Sequence, residues 1–362
     1  MIRLFDDVFN FLCEIDDYEK LEYTRKHYGA GDFSFKLSSN AAHANLFKNV
    51  DYFIVIDQDP RKAGIIRFFE QVDKNDSMIE IKGYTLESLL SRRIVIPLTG
   101  SAYDVVSGPA ETAIKHYVVN NVTTPEDSAR AIACFSLATD QARGITAKKY
   151  ARYEGLLDVI GEIGEQAAMG FEVMFDLNTK SLIFDVVPGT DHTEDAASPV
   201  IFSMEYDNLE SQTYTVDASS EKSTAYVGGA GEETSRPVIV AGGSASGLSR
   251  IEAFVNASSA DVVDLPDIGA QELETLKKIE SIEGIALGGF GPFQEGVDYV
   301  LGDTVTVANR SSGQAMDVQI VEVKETINEK GHEVALTFGI GLPRASEVLK
   351  NKFKQYDKIL RR

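Results

Sequence analysis

The 362-residue chain has no tryptophan, two cysteines and five histidines. Cys13 and Cys134 are too few for a disulfide framework and stand in no paired metal spacing, so reduced thiols of a cytosolic protein are expected. His27, His43, His116, His192 and His332 are scattered, and none shares a ligand spacing with a carboxylate, which excludes the helical zinc motifs. His192 with Glu194 and Asp195 comes nearest to a metal cluster and reads as a solvated acidic loop; Asp57 and Asp59 lack the further ligands and the glycine of a calcium loop. The missing tryptophan counts against a carbohydrate-binding module built on aromatic platforms. Basic side chains are scarce, 35 against 56 acidic ones, for a net charge of −21. That balance excludes tight nucleic-acid binding, which needs lysines and arginines gathered on one face. It leaves either plain solubility or an acidic passage along which DNA slides without adhering. No apolar run approaches a membrane-spanning length, and MIRLFDDVFNFLCEIDD turns acidic too early for a signal peptide.

What is present centres on Ala225–Val255. Two short apolar runs, Ala225–Val227 and Pro237–Ala241, each end in glycines, and an Arg250–Glu252 pair follows on an alternating segment. The spacing predicts strand, bend, strand, bend. Two enzyme motifs fail here. Gly229-Ala230-Gly231-Glu232-Glu233-Thr234 begins like a dinucleotide loop but has Thr234 in place of the third glycine and two carboxylates where a pyrophosphate needs bare amides. Gly243-Ser244-Ala245-Ser246-Gly247 has alanine at the nucleophile position. No Ser–His–Asp or Cys–His order stands out, and paired carboxylates among so many acidic residues carry no glycosidase signal. No catalytic residue, metal site or cofactor is expected, and the chain is read as a non-enzyme.

Residues 1–100 read as β-rich. Phe33–Leu37 alternates, Tyr52–Ile56 is a denser apolar run before the turn Asp57–Pro60, and Gly64–Val72 and Met78–Ile81 flank a polar turn at Asp73–Asp76. Leu86, Leu89 and Leu90 place a short helix over Thr85–Arg93. From about 101 the period changes: Pro109–Asn120 and Gly155–Ala168 carry helical stripes, Pro125–Ala129 starts a short helix, and Phe171–Phe175 with Ser181–Val187 forms a hairpin around Asn178–Lys180. Strands return at Val200–Met204 and Ser211–Val216. A helix is predicted over Gln271–Glu283 from Leu273, Leu276, Ile279 and Ile282. Tyr299–Val307, Val318–Val323 and Glu333–Phe338 then read as strands, the last two around Asn328–Gly331. Gly31-Asp32 and Gly302-Asp303 each make a turn before a regular strand. Aromatics such as Phe68, Phe69 and Phe175 sit at strand positions and read as core.

Several short motifs in this order resemble one family. Tyr18-Glu19-Lys20-Leu21, Thr24-Arg25, Gly31-Asp32-Phe33 and Gly83–Leu90 open the series. Gly189-Thr190-Asp191-His192-Thr193 follows the family's Gly-x-Asp-x-Thr turn with His192 in place of an arginine. Asp207-Asn208-Leu209 before Tyr214, Tyr226–Gly229, Arg236-Pro237-Val238, Ser246–Arg250 and Glu252 complete it. Together they resemble the hub proteins at the tail tip or baseplate of tailed bacteriophages, in the form found in siphoviruses, from Leu4 to Gly339. The resemblance implies a β-dominated α+β fold: a tube-like β-barrel over 1–100, an inserted α+β module over 101–195 with 251–283 packing on it, and a second, split barrel over 196–250 and 284–341. It implies a trimeric structural adaptor that closes a hexameric tail tube, with tail-tube or distal tail proteins above, a tape-measure protein in the lumen and fibre or spike proteins below. The implied location is the virion tail tip, assembled in the host cytoplasm. The rival reading is a tail-associated cell-wall hydrolase, against which the missing motifs stand.

The end of the chain is expected to form a basic amphipathic helix over 342–362. Leu349, Phe353, Tyr356 and Leu360 are spaced as an a/d-like seam, and Lys350, Lys354 and Lys358 lie among seven cations. Two heptads are too short to be stable alone, so the seam must pack on this subunit or on a partner.

Overall fold

The alternation of apolar and polar residues over the first hundred positions builds seven strands: β1 (Ile2–Phe5), β2 (Phe11–Ile15), β3 (Lys20–Lys26), β4 (Asp32–Ser38), β5 (Phe53–Ile56), β6 (Ala63–Val72) and β7 (Met78–Thr85). They pair antiparallel in the order β3-β4-β7-β6-β5-β1-β2. The computed structural model describes residues 1–72, 77–258, 260, 262–286, 292–309, 314–329 and 331–339. The turn expected at Asp73–Asp76 lies outside the described residues.

This sheet is buried on both faces. Ile2, Leu4, Phe33, Phe35, Leu37, Ile54, Ile56 and Ile81 form one core. Phe5, Phe53, Val55 and Ile65 point the other way, into a second core shared with the helices that follow. Two-sided burial explains why β5 reads as a continuous apolar run rather than an alternating one. Each fully buried leucine or phenylalanine here contributes roughly 1.5–3 kcal/mol.

The helices and their sheet come next: β8 (Asp104–Pro109), α1 (Ala110–Val118), β9 (Phe135–Leu137), β10 (Thr146–Ala151), α2 (Leu156–Ala167), β11 (Met169–Asp176) and β12 (Ser181–Pro188). α1 buries Ala113, Ile114, Tyr117 and Val118, and α2 buries Leu156, Val159, Ile160 and Ile163, as their periodicity predicts. β11 and β12 form the expected hairpin, and β9 adds to β12 in parallel.

Short strands β13 (Asp191–His192) and β14 (Ile201–Phe202) lead to β15 (Leu209–Asp217). β16 (Thr224–Gly228), β17 (Val238–Gly242) and β18 (Glu252–Asn256) make a separate three-stranded sheet, ordered β17-β16-β18. α3 (Leu265–Thr275) packs on β16 and β17. The chain closes with β19 (Ile279–Ala286), β20 (Thr304–Asn309), β21 (Gln314–Asn328) and β22 (Gly331–Gly339). β21 is long enough to serve two partners: its first residues pair with β20, and Glu322–Asn328 pair with β3 on one side and β22 on the other. The large sheet thereby runs from β22 through β21 into β3. Among the described strands its order is an open path that no pairing closes into a ring.

Met1–Thr99, Tyr103–Thr213 and Glu283–Gly339 form one compact unit, and Tyr214–Ile282 supplies most of a second. The fold is α+β and β-dominated, as the sequence implied. The helix predicted over Gln271–Glu283 is corrected: it begins earlier, at Leu265 with Pro266 in its first turn, and ends at Thr275. Ile279 and Ile282 lie instead on β19. The strand predicted from Tyr299 starts only at Thr304, because Gly302 has φ of 100° and Asp303 accepts from the Val300 N–H at 2.8 Å, making a turn.

Candidate functional site

Among the described residues no group of three His, Cys, Asp or Glu side chains converges as metal ligands would. Instead the charged and polar residues gather where distant segments meet, and the densest meeting point lies on β3. Tyr23 and Arg25 on this strand and His27 just past its end each tie it to a different part of the chain.

Tyr23 is buried and donates its hydroxyl to the Ala63 carbonyl at 3.0 Å. Arg25 donates to Glu295 at 2.8 Å and Glu325 at 3.2 Å, partners 270 and 300 positions away. Glu325, on β21, also meets Lys62 at 2.7 Å and His332 at 3.2 Å. Burial opposes ionisation of Glu325, but His332, Lys62 and Arg25 together hold its carboxyl down at about 2. The group is therefore an anchored carboxylate. A general acid would need the opposite shift.

His27 is the second tie. It is nearly buried and accepts the Gly170 N–H at Nε2 over 2.9 Å, while its backbone carbonyl accepts from Phe171 and its N–H donates to Val321. Burial depresses its pKa to about 4, so the ring is neutral at neutral pH. A side chain at Gly170 or Gly302 would overlap the imidazole. Behind Gly302, Gly189 lies so close that a Cβ there would overlap the Gly302 carbonyl. Asp303 is 2% exposed and accepts from the N–H groups of Thr190 at 2.7 Å and Val300 at 2.8 Å. The turn Gly189–Thr193 and the turn Gly302-Asp303, read separately in the sequence, are thus one packed joint. The two Gly-Asp turns differ in use: Asp303 is buried and doubly bonded, whereas Asp32 is exposed.

His192, the sequence's nearest metal candidate, places Nδ1 2.8 Å from the Ser198 carbonyl and Nε2 3.6 Å from Asp303. It is a loop fastener. In the helical region, fully buried Glu111 binds Arg143 at 2.8 and 3.0 Å and Lys115 at 2.8 Å, and Lys115 reaches Asp185 at 2.9 Å. These carboxylates pair with cations rather than facing one another across a cleft.

The stretch Ala225–Val255 has its own arginine brace. Arg236 donates to the carbonyls of Gly229 at 3.0 Å and Gly228 at 2.9 Å and to the Asn256 amide oxygen, and its guanidinium lies 5.5 Å from the Phe254 ring centre. Arg250 binds Glu252 at 2.6 Å and the Tyr226 hydroxyl at 3.1 Å. Ala225, Val227, Ala241 and Val255 face the core, while Val240, Tyr226 and Phe254 share a register across the outer face. Val240 is 56% and Phe254 61% exposed.

Leu349, Lys350, Phe353, Lys354, Tyr356, Lys358 and Leu360 lie outside the described residues. His27, Glu295 and Glu325 escaped the sequence analysis, since a lone histidine or glutamate on an alternating strand carries no sign of a partner 300 positions away. Arg25 stood in a motif, though its role did not show.

The resulting object is a strand-rich scaffold sewn by buried ion pairs and glycine joints, and its fold is that of phage tail proteins. The chain belongs to the family of siphovirus ReqiPepy6 Gp37-like proteins, which matches residues 1–340. It is similar in structure to the 43 kDa tail protein of prophage MuSo2 from Shewanella oneidensis, at 11% identity and a TM-score of 0.54 over 93% of this chain and 97% of that one. A tail protein from Neisseria meningitidis MC58 aligns at 12% identity and a TM-score of 0.55 over 93% and 95%. Prophage tail protein gp18 from Listeria monocytogenes EGD-e aligns at 11% and 0.52 over 100% and 99%. No curated protein matches the sequence.

Proposed function

We propose that the protein is a structural baseplate or tail-tip hub of a tailed bacteriophage, a trimeric adaptor between a hexameric tail tube and the distal tip. The observation that carries this reading is the likeness in fold, over more than nine-tenths of both chains, to three phage tail proteins. Two tube-like units per subunit, one over residues 1–100 and one split across the later strands, give six units in a trimer. Such a ring stacks on a six-fold tube and presents three-fold symmetry below. The sheet that passes from β22 through β21 into β3 supports it, because it joins early and late strands into one hydrogen-bonded sheet. The ion pairs support a mechanical role, since Glu325 and Glu111 are held by cations instead of being poised for proton transfer. No catalysis is needed for this function.

The acidic excess suits a wall past which DNA and a tape-measure protein move without adhering. Fibre or spike proteins would attach below, and the protein would reside in the virion after assembly in the host cytoplasm. Antibodies raised against the purified chain test the placement: they should label one end of the tail in electron micrographs. Label on the capsid, or spread along the tube, would reject the hub reading.

A further inference from the structure

In a chain of net charge −21, three arginines line one pocket. Arg92 and Arg93 end the 3-10 helix that follows β7, and Arg130 ends the short 3-10 helix Ser128–Arg130. Together with Ile94 they line an open pocket of about 260 Å³. The guanidiniums of Arg93 and Arg130 are held by neutral acceptors. Arg93 donates through Nε to the Arg130 carbonyl at 2.8 Å and through Nη1 to the Arg92 carbonyl at 3.1 Å. Arg130 donates through Nη2 to the Ile94 carbonyl at 2.6 Å and to buried Asn121 at 3.3 Å.

Neither Arg93 nor Arg130 has a carboxylate partner among the described residues, in a protein with carboxylates to spare. Among the described residues Arg92 reaches only Asp51, at 3.5 Å, which Arg67 already holds. Each guanidinium carries five N–H donors, so Arg93 and Arg130 both keep donors that no group among the described residues accepts. Burial and the charge of Arg93 disfavour the protonated form of Arg130 and together outweigh Asp127, which favours it. Two like charges held rigidly together, with free donors, are the arrangement an oxyanion relieves.

A second feature adjoins the pocket. Ile94 bridges to Gly155, Val95 is fully buried, and Ile94, Ile96 and Leu98 are exposed at 41%, 37% and 50%. The spacing i, i+2, i+4 puts the three on one side. The Ile96 N–H donates to Asn121, the same side chain that holds Arg130, so ridge and pocket share a support.

We propose that this surface seats an extended protein segment in which carboxylates alternate with aliphatic side chains, a carboxylate entering the arginine pocket and the aliphatic groups lying along the ridge. Charge complementarity selects an acidic occupant, and the apolar ridge selects a peptide over a bare anion. The inference does not depend on the trimer: a neighbouring protein of any assembly satisfies it.

The test uses the full chain and a fluorescein-labelled Glu-Val-Glu-Val-Glu peptide, followed by fluorescence anisotropy. Saturable binding is expected, weakened about tenfold or more by Arg93→Gln with Arg130→Gln and by Ile96→Asp, and weakened by added salt. The Gln-Val-Gln-Val-Gln peptide should not bind. Where the arginine variants lose their circular-dichroism signature, Arg92→Gln and Ile96→Asp, at exposed positions, carry the test. No saturable binding overturns the proposal. So does full competition by inorganic phosphate with no effect of Ile96→Asp, which would mark a simple anion site. Preferential binding of a single-stranded DNA oligonucleotide, lost in the arginine variants, would overturn it as well.

Discussion

Single atoms decide the tightness of the joint between distant segments. Gly189 abuts the carbonyl of Gly302, so Gly189→Ala forces two backbones apart and should cost roughly 2–4 kcal/mol in urea unfolding; an unchanged midpoint would mean that the contact is not close. Glu325 is the residue whose charge matters most. Its folded pKa of about 2 lies below the ordinary 4.5, so its contribution is fully present above about 4.5 and is lost as pH falls toward 2. Glu325→Gln should therefore destabilise the protein by roughly 3 kcal/mol at neutral pH. The gap between variant and parent should shrink steadily between pH 4.5 and 2. A gap that stays constant across that window would show that the carboxylate is not held by its cations. His27 acts in the same direction over a different range. Because burial lowers its pKa to about 4 from 6.5, acidification below about 6.5 begins to favour the unfolded chain, in which the ring protonates freely.

At the level of elements, the small sheet β17-β16-β18 depends on Arg236, whose planar fork bridges the Gly228 and Gly229 carbonyls and Asn256. Lysine keeps the charge but not the fork, so Arg236→Lys should destabilise this sheet by roughly 2 kcal/mol. Faster amide exchange in β16 and β18 would record it, and unaltered protection there would refute the brace. The basic seam from Leu349 to Leu360 is proposed to meet a partner. Deleting residues 344–362 should leave hubs that lack their distal parts; complete tips with fibres attached would confine the seam to this subunit. Elements with a clear period were legible from sequence. The alternation of Phe33, Phe35 and Leu37 places β4, and the stripe from Leu156 to Ile163 places α2. Legibility failed where one spacing serves two structures: Leu273, Leu276, Ile279 and Ile282 fit a helical face, yet the chain turns from α3 into β19 between them. It failed again at the joint, because neither Arg25 with Glu325 nor His27 with Gly170 is marked by any local pattern. The sequence motifs around Gly189 and Gly302 were visible, but only the fold shows that they touch.

At the scale of the whole molecule, the cores and the sheet that links them dominate. Two cores share the first sheet, β21 joins the late strands to β3, and Glu325 with Arg25 and Lys62 ties that junction. The fold is that of phage tail proteins. The central claim is that three copies close the end of a tail tube. Cryo-electron microscopy of intact particles, refined at the tail tip without imposed symmetry, measures this directly. The account predicts density for this chain in a single three-fold ring directly below the last six-fold ring of the tube, with its acidic residues concentrated on the inner wall. Six copies at that level, repeated rings along the tube, or no density at the tip would contradict it.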